Sequence, residues 1–234
     1  QLTFDGKAWG MGMWHPDGER FFAYVEPDYE TVLFTLDGSQ PPRSLGSGIM
    51  AHVSADGREI FYSMPQLDRG FDFDLYVCDF DQTMDEGRAL VSTPSIEWAP
   101  APSPDGKYLA YTSDESGRQE VYLTTYPDFT ARWQVSRGGG SWSRWRADGR
   151  ELFYTTHDAI YSVSIDDGQG LSLGRPEKLF DRPTTNWSPV WADGYAVTGD
   201  GERFLMLRNP ITDDQEPPTI AVVQNWYGEF ASQE

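Results

Sequence analysis

The residues able to do chemistry sit at related distances ahead of a recurring Asp-Gly pair. Glu97 stands eight residues before Asp105, and Asp193 seven before Asp200. Two carboxylates roughly 5–10 Å apart can cleave a glycosidic bond, one as acid and one as base or nucleophile. His52 and Arg144 each lie four residues before their own Asp, Asp56 and Asp148. A lone histidine makes no metal site without further ligands converging on it. A guanidinium at the matching position suits an anion, which leaves His52 as a hydrogen-bonding group. Trp9, Trp98, Trp142 and Trp187, with Trp191 nearby, stand near the start of the same segments. Their flat faces could stack on a sugar or grip a peptide. The competing role is to wedge between neighbouring repeats.

Other reactive residue types read as structure. His15 falls in a turn and His157 in an exposed hairpin loop. Cys78 ends the run Leu75-Tyr76-Val77-Cys78, has no second cysteine to bond, and reads as a buried small hydrophobe. The Asp-Gly pairs lack the alternating oxygens of a calcium loop. Gly138-Gly139-Gly140 lacks the lysine and helix of a phosphate loop. No metal and no cofactor is expected.

These residues are positioned by a repeat. Asp17-Gly18, Asp56-Gly57, Asp105-Gly106, Asp148-Gly149 and Asp200-Gly201 recur 39 to 52 residues apart, close to the length of one propeller blade. Asp-Gly favours a tight turn, because Gly accepts positive φ and Asp bonds its own backbone. Four residues beyond each Asp stand Phe21, Ile60, Leu109, Leu152 and Phe204; six beyond stand Ala23, Tyr62, Tyr111, Tyr154 and Met206. Positions two apart share one side of a strand, so each turn launches a strand with a buried face. Inner strands are predicted over Ala8 to Met13, Ile49 to Val53, Ile96 to Ala101, Trp142 to Trp145 and Tyr195 to Thr198. Third strands follow from Thr31, Asp74, Glu120, Ile160 and Thr219, and fourth strands from Pro42, Ala89, Trp133 and Glu177.

The fold class expected is therefore all-β: a five-bladed propeller of four-stranded antiparallel blades, a single domain over residues 1–234. The last repeat lacks a fourth strand, and Gln1 to Phe4 could supply it by ring closure. The alternative is a part of a six-bladed ring. The segments Gln66 to Asp72 and Ile211 to Pro218 read as loops.

The formal charge is −19, from 37 acids against 18 bases. That balance disfavours nucleic acid and anionic membrane surfaces as partners. No apolar run is long enough to span a bilayer, so this domain is not expected to insert in a membrane.

The string Ala101-Pro102-Ser103-Pro104-Asp105-Gly106-Lys107-Tyr108-Leu109-Ala110-Tyr111 resembles the blade motif of TolB-like, WD-repeat-related propellers. His15 to Gly18, Ser54 to Gly57, Arg146 to Gly149 and Thr198 to Gly201 are looser copies. Glu115-Ser116-Gly117-Arg118-Gln119-Glu120-Val121-Tyr122 resembles the second-to-third strand turn of the same family, and the stretch Gly138 to Tyr154 is similar to the final blades of propellers fused to bacterial membrane Ser/Thr kinases. The resemblance implies a binding, scaffold or sensor module placed outside the cytoplasm, in the periplasm or at the cell surface. It would take a protein, peptide or small ligand at the channel mouth, where Trp9, His52, Trp98, Trp142, Arg144 and Trp187 stand. Related rings also include enzymes, so the alternative is a glycoside hydrolase or lyase using Glu97 and Asp193. Two acids on five inner strands favour binding over catalysis.

Overall fold

Each Asp-Gly pair closes a hairpin with one set of bonds. The N–H of Gly18, Gly57, Gly106, Gly149 and Gly201 donates to the carbonyl three residues earlier at 2.8–3.0 Å. These glycines have φ between 70° and 79°, the left-handed region that glycine enters without a Cβ penalty. The aspartate Oδ1 accepts the N–H two residues on, from Glu19, Arg58, Lys107, Arg150 and Glu202. In three turns a hydroxyl joins in. Ser54, Ser103 and Thr198 donate to the carboxylate and accept the N–H of Glu59, Tyr108 and Arg203. The Ser54 hydroxyl, the Arg146 guanidinium and the Thr198 hydroxyl are the main groups holding Asp56, Asp148 and Asp200 below the ordinary carboxylate range.

The computed structural model describes residues 9–25, 28–70, 72–168, 170–182, 195–208 and 219–224. Within them lie five antiparallel sheets. The first runs β1 (Trp9–Trp14), β2 (Arg20–Val25), β3 (Glu30–Thr35), β4 (Arg43–Ser47), and the second β5 (Ile49–Val53), β6 (Glu59–Gln66), β7 (Asp72–Asp79), β8 (Arg88–Val91). The third runs β9 (Glu97–Pro102), β10 (Tyr108–Ser113), β11 (Glu120–Thr125), β12 (Arg132–Gln134). The fourth has β13 (Ser141–Trp145), β14 (Glu151–Thr155) and β15 (Ala159–Asp166), with β16 (Ser172–Leu173) and β17 (Glu177–Asp181) sharing the far edge of β15. The fifth has β18 (Tyr195–Val197), β19 (Arg203–Arg208) and β20 (Thr219–Gln224). Gln1 to Phe4 and the loop Ile211 to Pro218 lie outside the described residues.

The strands fall where the repeat places them, with two differences. The loop expected over Gln66 to Asp72 is only a 3-10 turn, Leu67–Arg69, because β6 and β7 pair to Gln66↔Asp72. The short strand β16 carries no periodic signal in its two residues.

The core lies between sheets. In the second, third and fourth sheets, residues four and six beyond the turn Asp face the preceding sheet, and the residue between them faces the next. Ile60 and Tyr62 pack with Phe22, Leu33 and Leu45 of the first sheet, while Phe61 packs with Leu109 and Tyr111 of the third. Leu152 and Tyr154 pack with Ala101, Ala110 and Val121; Phe153 meets Phe204 at 5.3 Å. Burying such a side chain is worth about 1.5–3 kcal/mol, so the middle strands of the second, third and fourth sheets each stabilise two interfaces.

The turn bonds predict a measurable loss. Asp105→Ala removes the acceptor for Ser103 Oγ and the Lys107 N–H. It should cost about 1–2 kcal/mol, read as a lower urea midpoint with an unchanged slope. The carboxylate is also held below its ordinary range by Ser103 and Lys107 against its own desolvation. Its stabilising effect is present above the unfolded-state pKa, about 4, and fades as pH falls through the folded value. The variant should therefore lose less stability than the parent on acidification.

Candidate functional site

Register makes His52 and Arg144 equivalent. The residue four before each turn Asp pairs with the residue five after it: Met13↔Phe22, His52↔Phe61, Ala101↔Ala110, Arg144↔Phe153, Ala196↔Leu205. Just ahead of this position β1, β5, β9 and β13 each slip register. Ala99 in β9 and Trp142 in β13, both six before their Asp, carry positive φ of 51° and 56°. A bulge of this kind bends the strand and re-aims its side chains.

The bulged strands bring the second and fourth sheets into contact across the third. Arg144 Nη1 donates to His52 Nε2 at 3.2 Å, over 92 residues of sequence. Both side chains remain partly exposed. Arg144 also donates to the Ser143 carbonyl at 3.0 Å, and its guanidinium centre lies 5.7 Å from the Tyr195 ring. The Tyr195 hydroxyl donates to the Trp142 carbonyl at 2.6 Å. Desolvation first, and then the charge of Arg144, hold His52 well below its ordinary pKa. It is neutral at pH 7, and accepting at Nε2 places its proton on Nδ1. Burial pushes the Tyr195 phenol upward, so it too stays neutral. The cluster thus presents one cation beside a neutral imidazole whose Nδ1 carries a proton, while the Tyr195 hydroxyl is committed to the Trp142 carbonyl.

The tryptophans divide. Trp98 is 1% exposed and Trp142 4% exposed, and their rings meet edge-on at 4.8 Å. They pack with Ile49, Phe73 and Tyr195, so they form the apolar wall behind the polar cluster. Trp9 opens β1 opposite Val25. Trp187 and Asp193 lie outside the described residues. Of the two carboxylates considered for acid–base chemistry, Glu97 is 1% exposed. It accepts from the Thr93 hydroxyl and from the Thr93 N–H, which ties down the loop entering β9. Burial raises its pKa, opposed by Thr93 and reinforced by Asp74 and Asp72.

A row of buried acids holds the neighbouring loops. Glu120 and Asp74 occupy matching places at the start of the third strand, opposite Ser113 and Met64, each eight beyond its turn Asp. Glu120 accepts from Ser136 Oγ, from Arg118 and from the N–H groups of Gly138 and Gly139, both at 3.0 Å. Its desolvation is outweighed by these four partners, and its pKa is lowered. Asp74 accepts from Arg69 at 2.6 Å and from Ser92 at 2.8 Å. Tyr195 and this row of acids shape the surroundings of the candidate site and were not singled out from the sequence. The signal was present as an acid near the start of consecutive third strands, Glu30, Asp74 and Glu120, at one register position. Among the described residues no group of His, Cys, Asp and Glu is arranged to hold a metal ion.

Comparison with known proteins shows the fold. No family model matches the chain. A TolB homolog of Chlorobaculum tepidum is 30% identical over 113 residues, 48% of this chain and 24% of that protein. The structure of TolB from Acinetobacter baumannii superposes with a TM-score of 0.68 at 13% identity, over 94% of this chain and 52% of that one. This chain has the TolB-like β-propeller fold. An oligogalacturonate lyase from Vibrio parahaemolyticus also superposes, with a TM-score of 0.60 at 11% identity over 96% of this chain and 65% of that one. A TolB-like propeller therefore shares its architecture with an enzyme, and function must come from the site. The chain spans about a quarter of the length of the curated relative it matches.

Two measurements probe this site. His52 has a folded pKa below its unfolded value, so the unfolded state binds the extra proton first and stability falls as pH drops through about 6.5. Thermal melts should show the parent losing more between about pH 7 and pH 5 than His52→Gln; equal losses would show that His52 is not so placed. Glu120→Ala removes the acceptor for the buried Ser136 hydroxyl and for the partly exposed Gly138 and Gly139 N–H groups, and should cost about 1–3 kcal/mol in chemical unfolding.

Proposed function

We propose that this chain is a non-catalytic binding module, a scaffold or sensor that receives an anionic group of a protein, peptide or small ligand at the centre of its sheets. The Arg144–His52 contact carries this reading, since it sets a partly exposed cation beside a neutral imidazole where the inner strands converge. The engagement of Glu97 with Thr93 supports binding over hydrolysis. The TolB resemblance adds a protein partner and a place outside the cytoplasm. In this proposal the five sheets form one closed ring over a single domain, with Gln1 to Phe4 completing the last blade beside β20. Trp9 and Trp187 would stand at its mouth, with Trp98 and Trp142 as the wall behind.

Peptides selected by display against the purified protein test the site. Arg144→Gln should weaken the selected binders by about tenfold; unchanged affinity places binding elsewhere. Hydrolysis of any oligosaccharide by the parent, abolished in Glu97→Gln, would replace binding with catalysis. Ring closure predicts that deleting residues 1–5 lowers the melting temperature far more than deleting 231–234. Equal effects of the two truncations would exclude that closure.

A further inference from the structure

A cavity of mixed polar and apolar lining lies on the side of the molecule where the first sheet meets the second. Its volume is about 730 Å³, within the range of ligand sites. Its walls include Arg20, Leu33, Pro41, Pro42, Arg43 and Phe80. Phe80 follows β7, and two guanidiniums converge on its ring, Arg20 at 4.4 Å and Arg43 at 5.7 Å from the centroid. His15 meets the same ring edge-on at 4.8 Å and Phe22 at 6.2 Å, which fixes it in place.

The two arginines differ in what occupies them. Arg20 is bound to Asp17 at 2.6 Å and to the His15 ring at 3.1 Å. Arg43 is exposed, and its hydrogen bond goes to the Phe80 carbonyl at 3.1 Å. Among the described residues Arg43 makes no ion pair, although the chain carries 37 acids against 18 bases. Its guanidinium is therefore held beside the Phe80 ring by one bond, and the side chain lines the cavity. A carboxylate matches a guanidinium in two parallel bonds.

The backbone beside the cavity narrows the occupant. β4 is the outermost strand of its sheet. One half of its free edge is covered: Asp85, in the 3-10 turn Met84–Glu86, accepts the Ser47 N–H at 3.1 Å. The other half, at Arg43 and Ser44, stays exposed next to the cavity. An uncovered strand edge offers main-chain donors and acceptors that an extended peptide can match. Pro41 and Pro42 add an apolar wall. We propose that this cavity binds an extended acidic peptide segment, its carboxylate on Arg43 and Arg20 and its apolar neighbour against Leu33 and the prolines. Asp81, also lining the cavity, opposes a second carboxylate and so limits the segment to one acid there. This site is independent of the one at Arg144.

Backbone amide NMR on the whole chain tests it. The probe is the blocked tripeptide acetyl-Leu-Glu-Leu-amide, with its Gln counterpart as the neutral match. The acidic probe should shift the amides of Thr35, Arg43, Ser44 and Phe80 with a dissociation constant near about 1 mM. The Gln probe and the Arg43→Gln variant should each weaken this by about tenfold, while Arg150→Gln, a cation at the exposed turn of the fourth sheet, should not. Equal response to the two probes overturns the proposal, as does a response confined to residues around Arg144. The probe comparison uses the parent protein, so it stands even if the variant misfolds.

Discussion

Each middle strand in this chain is apolar on both of its faces, and an isolated sheet would leave one of them in water. That constraint organises the molecule. Ile60 and Tyr62 require a sheet behind them and Phe61 requires one ahead. The same holds for Leu152, Tyr154 and Phe153. A hairpin of this kind gains little alone; it is stable as a member of a row. The polar features follow from the same packing. Bulges in the inner strands let sheets crowd together, and buried acids replace the backbone partners that the loops entering those strands would otherwise lack.

The turns were legible because their chemistry is local. Asp105, Gly106 and Ser103 bond within six residues of one another, so type and spacing announce them. Strand positions were legible because a period of two survives at positions four and six beyond each Asp. The opposite face was harder to see. Phe61, Ala110 and Phe153 interrupt the alternation and read as exceptions until the next sheet is in place.

The site was legible only in outline. Alignment to the turns matched His52 with Arg144, yet nothing in one dimension says that two sheets separated by a third will touch. The tryptophans were visible as a cluster, but Trp98 and Trp142 spend their faces on each other and on the core. Glu97 stood out as an acid near an inner strand, while Thr93, the partner that explains it, is an ordinary loop residue. Long-range partners of this kind are set by packing and leave no periodic trace.

Repeat proteins are commonly treated as chains of units in which each feels only its neighbours. The bond from Arg144 to His52 breaks that scheme, since it joins the second unit to the fourth and bypasses the one between. Protonating the imidazole would turn its acceptor into a donor facing a cation, and the strain would register in both sheets at once. A local chemical event at this point is thus felt as a change in how distant repeats fit together, a property that no single repeat possesses.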